Sequence, residues 1–268
     1  MTLARVGDTP VRLGWITGFP GPARAASVIG MERGVDGAGG AVLRGPGAVA
    51  GERRSGADGT AVAAGPPAVR TVVQAAVGVA VWAIAVLHVA GVAGAVDPLR
   101  HTVSDYVVLP GGHLVLGIAA AAMALAGAAL ATACHRRGTG RLPVLLLGSW
   151  AVAMAVAGIF PTNPPGTPAD VAAAVHRYAG AWVFAVLPVA VLLIARGPAV
   201  HAAARRRLTG LAVAAGASAG VFLLAHVPIV VFGSPAFPLL GGVERVLYGV
   251  LAVLLVVTAR SIRTGVAP

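Results

Sequence analysis

Residues 71–96 read TVVQAAVGVAVWAIAVLHVAGVAGAV, 26 positions without an Asp, Glu or Arg. At a rise of about 1.5 Å per residue, a helix of that length crosses a hydrocarbon core of roughly 30 Å. Five more apolar stretches follow, at 112–134, 142–160, 178–195, 208–232 and 239–259. In lipid every backbone N–H and C=O must be satisfied within the structure, which leaves helices or closed barrels. Barrel strands alternate polar and apolar side chains, and these stretches do not. The sequence therefore predicts an all-α fold, an integral membrane bundle of six transmembrane helices spanning 71–262.

Composition points the same way. The 268-residue chain is 57% hydrophobic and 11% charged, whereas a soluble domain carries about 25% charged residues. This rules out an ordinary water-soluble enzyme. One cysteine, Cys134, rules out a disulfide scaffold. Residues 1–70 are a different material, with 15 Gly, 6 Pro, eight Arg and five acids. No apolar period there lasts two turns, so nothing offsets the entropy of ordering, and a disordered Gly/Pro/Arg-rich cytoplasmic tail is expected. Gly, Pro and Arg interrupt every candidate signal-peptide core before it reaches full length. An over-extended gene start is the alternative reading, which peptide mapping of the native N-terminus would decide.

Arginine sets the orientation. All twenty basic residues are Arg, with no Lys. Nine of them, and no acid, fall at one end of the helices: Arg136, Arg137, Arg141, Arg196, Arg205, Arg206, Arg207, Arg260 and Arg263. The other end has Arg100, Arg177 and Arg245, with Asp97, Asp105, Asp170 and Glu244. By the positive-inside rule both termini are expected in the cytoplasm, with the acids outside the cell (plasma) membrane. The basic residues suit anionic lipid. They lack aromatic interleaving, which argues against nucleic acid.

The outer end also gathers histidines. His101, His113 and His176 are placed at its surface. His88 and His226 are placed about 12 and about 9 Å beneath it, counted at the helical rise. Only 14 residues separate Arg245 from Arg260, so the last span must take Glu244 and Arg245 into the bilayer. Ionisable groups at such depth face a bundle interior or a wet cavity. Glu244 is expected to meet a histidine or arginine of another helix, and Arg245 to snorkel to the interface. In FPTNPPGTPAD (160–170), Thr167 reads as an N-cap with Pro168 and Asp170 in the first turn of the fourth helix. Pro188 should kink that helix and free the Phe184 carbonyl. Small residues, namely Ala119 to Ala122, Gly127, Gly216 and Gly220, are expected at close helix contacts.

The candidate binding residues are Ser104, Asp105, Tyr106, His176, Glu244 and Arg245, with His88 and His226 near. They would line an outward-facing polar pocket for a small molecule, ion or lipid headgroup, used for binding or transport-like work. Each has a structural reading beside it. Ser104 and Asp105 also suit a helix cap, Tyr106 the interfacial belt, and His88 and His226 interhelical hydrogen bonds. A membrane-embedded hydrolase using a metal or an activated water is one alternative function, and a non-catalytic partner subunit another. No cofactor is called for. His88, His176, His226, Glu244 and Asp105 are suitable zinc ligands, but no H-E-x-x-H or C-x-x-C spacing is present. There is no G-x-S-x-G elbow, phosphate loop or dinucleotide fingerprint.

The order HTVSDYV (101–107), GIFPTNPPGTPADVAAAVHRYAG (158–180) and GGVERVLYG (241–249) resembles the bacterial multi-pass membrane family catalogued as domain of unknown function 998 (DUF998). The resemblance covers roughly residues 72–262 and is anchored on Ser104-Asp105-Tyr106, Phe160-Pro161, His176 and Glu244-Arg245. Asn163 stands where that family often has an acid. The resemblance implies a six-helix integral membrane protein and no particular reaction.

Overall fold

A computed structural model describes residues 67–262, apart from 92, 93, 95, 233 and 235. Six helices carry the chain: α1 (Pro67–Gly91), α2 (Gly112–Arg136), α3 (Arg141–Ile159), α4 (Val171–Arg196), α5 (Ala202–Phe232) and α6 (Leu240–Ser261). All six are long and apolar enough to span a membrane. A short 3₁₀ helix, Val103–Val108, lies between α1 and α2. Among the described residues the β-structure is a single antiparallel bridge, Val200 to Ile262. The first turn of α1 begins at Pro67; the rest of the expected tail lies outside the described residues.

Each helix packs on its neighbour in sequence, and α1 closes the ring against α6. Alternating direction puts the acids at one end of the bundle and the arginine clusters at the other. The two ends are called here the acidic end and the arginine end. Trp82, Leu145, Val221 and Leu224 turn outward and are exposed. In water such a belt would be an aggregation surface; on a six-span chain it is the area that acyl chains cover.

Helix contacts are made where backbones can approach. A Cβ at Gly127 would sit 2.6 Å from the buried Trp150 ring, and one at Gly158 would sit 2.8 Å from Ala120. Glycine at these two positions thus lets α2 and α3 close on each other. Trp150 then donates its indole N–H to the Val183 carbonyl of α4 at 3.0 Å. The expected Gly216 and Gly220 pair divides. A Cβ at Gly216 would stand 3.6 Å from Pro188 of α4, whereas one at Gly220 would meet no neighbouring helix within 4 Å. Pro188 sits inside α4 as expected, and α5 contains a second internal proline, Pro228.

The start of α4 differs from expectation. Asp170, not Thr167, is the N-cap, and its carboxylate accepts the Ala173 N–H at 2.8 Å. Thr167 is held in the preceding turn instead. Its hydroxyl donates to the Pro164 carbonyl at 2.7 Å, and its own carbonyl accepts from the Asn163 amide at 2.6 Å. Asn163 in turn accepts from Arg177 at 2.9 Å, which fastens this loop to the first turns of α4.

Candidate functional site

The first turn of α6 lies directly under the 97–108 segment. A Cβ on Gly241 would overlap the His101 carbonyl, so only glycine admits the segment there. The Gly242 N–H then donates to the Leu99 carbonyl at 3.1 Å. This overlay decides what Glu244 and Arg245 meet. Glu244 is 4% exposed, and its carboxylate accepts the Val103 N–H at 2.5 Å. The expected histidine or arginine partner is replaced by a backbone amide, because the 3₁₀ helix presents its free N-terminal donors at that spot.

Arg245 does not snorkel. Its Nε donates to His88 Nε2 at 2.8 Å. Its Nη1 donates to the carbonyls of His101 at 2.7 Å and Gly241 at 2.9 Å. Its Nη2 donates to the Tyr106 hydroxyl at 3.2 Å. The guanidinium carbon stands 5.5 Å from the Tyr106 ring centre, and the His88 and Tyr106 rings are 5.1 Å apart. With acceptors on the bundle side of α6, the side chain gains more by turning inward than by reaching for water. His88 Nδ1 contacts the Ile84 carbonyl at 2.8 Å, so Nδ1 carries the proton and Nε2 the lone pair that Arg245 uses.

Around this node the remaining candidates separate. Asp105 accepts the Thr102 N–H at 2.7 Å, and the Ser104 hydroxyl pairs with that of Thr102 at 2.9 Å. His176 Nδ1 donates to the carbonyls of Ala157 and Phe160, each at 2.9 Å, and so ties α4 to the end of α3. His226 donates to Phe222 one turn back at 2.8 Å, with its ring 4.2 Å from that phenyl. His226 makes none of these node contacts. Outside the spans, Asp97 accepts the Leu99 N–H at 2.9 Å, and that bond, helped by Arg100, holds its carboxyl below the ordinary 3.8.

A cavity of about 320 Å³ lies between α1, α2, α3, α4 and α6. Val77, Ala80 and Ile84, Leu116 and Met123, Met154 and Val183 make most of its wall. His88, Ser104, His176, Arg245 and Tyr248 border it as well, all toward the acidic end. Asp105, Tyr106, Glu244 and His226 are not part of the wall. The hollow is therefore mainly aliphatic with one polar end, rather than polar throughout.

Sequence reading passed over Tyr248. Its ring lies 5.2 Å from Phe184, and among the described residues its hydroxyl has no hydrogen-bond partner. The signal was present in spacing. Tyr248 and Gly249 stand three and four residues after Arg245, and Ala252 four and three after them, so the set shares one helix face. His176 Nε2 likewise has no protein partner among the described residues, since Nδ1 takes both carbonyls. Among the described residues no three His, Cys, Asp or Glu side chains are grouped to hold a metal.

Residues 75–261 match the family described as "Protein of unknown function (DUF998)". No curated protein and no solved structure matches the chain.

Proposed function

On the premise that the chain belongs to the DUF998 family, whose function is unknown, we propose that it is a membrane protein that binds a small amphiphile. The hydrocarbon part lies among Val77, Ile84, Leu116, Met123 and Met154, and the polar head meets Arg245, His176 and Tyr248. One observation carries this reading: a cavity with aliphatic walls and, at one end, polar atoms without hydrogen-bond partners among the described residues. Ligand sites are commonly of this kind, apolar with a few convergent polar groups. Aliphatic walls give a bare ion nothing to coordinate, so holding an amphiphile is favoured over conducting ions. The arginine distribution supports a plasma-membrane orientation with the acidic end outside and both termini in the cytoplasm.

Thermal unfolding of the full-length protein in lipid nanodiscs tests the reading, using dodecyl chains with different heads. A bound amphiphile at a hundredfold excess over Kd stabilises the native state by about 2.7 kcal/mol. The matched control is Gly180→Leu. Gly180 borders the cavity and has nothing within 4 Å of its Cβ position, so a leucine placed there starts in open space beside the hollow. That variant should melt like the wild type and respond to no ligand. A wild-type melting curve indifferent to every dodecyl compound would sink the proposal.

A further inference from the structure

The cavity wall holds one permanent charge, that of Arg245, and no acid. The four acceptors that meet its guanidinium are all formally neutral: His88 Nε2, two backbone carbonyls and the Tyr106 hydroxyl. Arg245 takes part in no ion pair among the described residues; the pair present joins Arg100 and Asp97 on the exposed loop. Glu244, the nearest acid in sequence, lies outside the wall and takes the Val103 N–H. A guanidinium has five N–H groups. Four are directed at those acceptors, which leaves one Nη2 hydrogen uncommitted. The Tyr248 hydroxyl borders the same hollow without a protein partner among the described residues and can donate to a head, whereas His176 Nε2, with the ring proton on Nδ1, can only accept an O–H from it. Resting on the amphiphile reading above, we infer that the occupant bears a single anionic head, a carboxylate or a phosphate, on one hydrocarbon chain.

Three physical points support this. Glu244 stands close enough for its charge to act on Arg245 but makes no hydrogen bond to the guanidinium, and an anionic head would supply a directly bonded counter-charge at the apolar hollow. Hydrogen bonds between charged groups are stronger than neutral ones, so the head sets preference. A volume of about 320 Å³ sits at the lower edge of the range for ligand pockets, which suits one chain rather than two.

The test compares dodecanoate, dodecyl phosphate, dodecanol and dodecyltrimethylammonium on the full chain in nanodiscs, reading Kd from the melting shift. At least one of the two anions should bind about tenfold tighter than the alcohol, as one charge-assisted hydrogen bond warrants. The cation should bind weakest. Whichever anion binds tighter identifies the source, a free fatty acid or a phosphate-headed lipid. Alcohol and anions binding within twofold of one another would overturn the anionic head while leaving amphiphile binding standing. Loss of all four affinities in Gly249→Leu places the binding in the cavity, since Gly249 also borders it with open space at its Cβ position. Undiminished affinities in that variant, or no binding by the wild type, would bring down the amphiphile reading too. Because Arg245 also anchors the loop, Arg245→Gln is read only alongside its unliganded melting temperature. Folded Arg245→Gln should bind anion and alcohol alike, and a retained tenfold preference would overturn the role given to Arg245.

Discussion

Glu244 and Val103 stand 141 positions apart, yet one carboxylate and one amide join them inside the bundle. Removing the carboxylate leaves a buried N–H without its acceptor, so Glu244→Ala should destabilise the protein by about 1–3 kcal/mol. Glu244→Gln, which keeps a carbonyl oxygen there, should cost less. Denaturant unfolding in detergent reads both, and hydrogen exchange at the Val103 amide should quicken in the alanine variant. Asp97 gives a pH prediction at the same scale. Its carboxyl is held low, so whatever it contributes to the loop is present above the ordinary 3.8 and is lost as pH falls through the lower folded value. A carbon-13 titration of the Asp97 carboxyl should have its midpoint below 3.8. Depth arithmetic was enough to put Glu244 and Arg245 in the bilayer. Their partners were not legible, because they depend on a loop from the other half of the chain lying across two glycines. His226 was grouped with the others by depth alone, and depth does not specify which way a helix face turns.

Among the elements, α2 and α3 show how closely backbones must meet. Gly127→Leu would force a side chain into the Trp150 ring, and overpacking of this kind costs about 1–3 kcal/mol or more. Gly148 on α3 is the control. Nothing lies within 4 Å of its Cβ position, so Gly148→Ala should be neutral or gain up to about 1 kcal/mol from helix propensity. Unfolding of the two variants side by side checks this pair of expectations. Apolar length made the helices themselves readable. Which small residues make contacts was less so, since Gly127 and Gly220 look alike in sequence and only one faces a neighbour. The α4 cap shows a similar limit. Thr167 and Asp170 both have capping side chains, and the choice falls to Asp170 because the Asn163 turn holds the threonine.

For the whole molecule, the arginine asymmetry makes a prediction about sidedness. Cys134 is the one cysteine of the sequence, so a Cys134→Ala background should be blank to a membrane-impermeant maleimide. In intact cells Arg100→Cys should then react, and Arg206→Cys should react only after permeabilisation. The reverse pattern would invert the proposed topology. Six spans and their alternation were legible because lipid leaves a chain few ways to cross it. A pocket toward the acidic end was expected from the sequence, but its mainly aliphatic wall was not legible, because it forms only where five helices stand around one space. The ring closes through α6, which supplies Arg245 and Tyr248 to a wall otherwise drawn from earlier spans, and Glu244 to the Val103 N–H beside it. During biosynthesis the ribosome delivers that helix after the other five. Until it arrives, the Val103 N–H, the His88 lone pair and the Tyr106 hydroxyl wait without their counterparts. The polar end is thus completed in one late step, and a nascent chain released before position 240 would carry these groups unpaired.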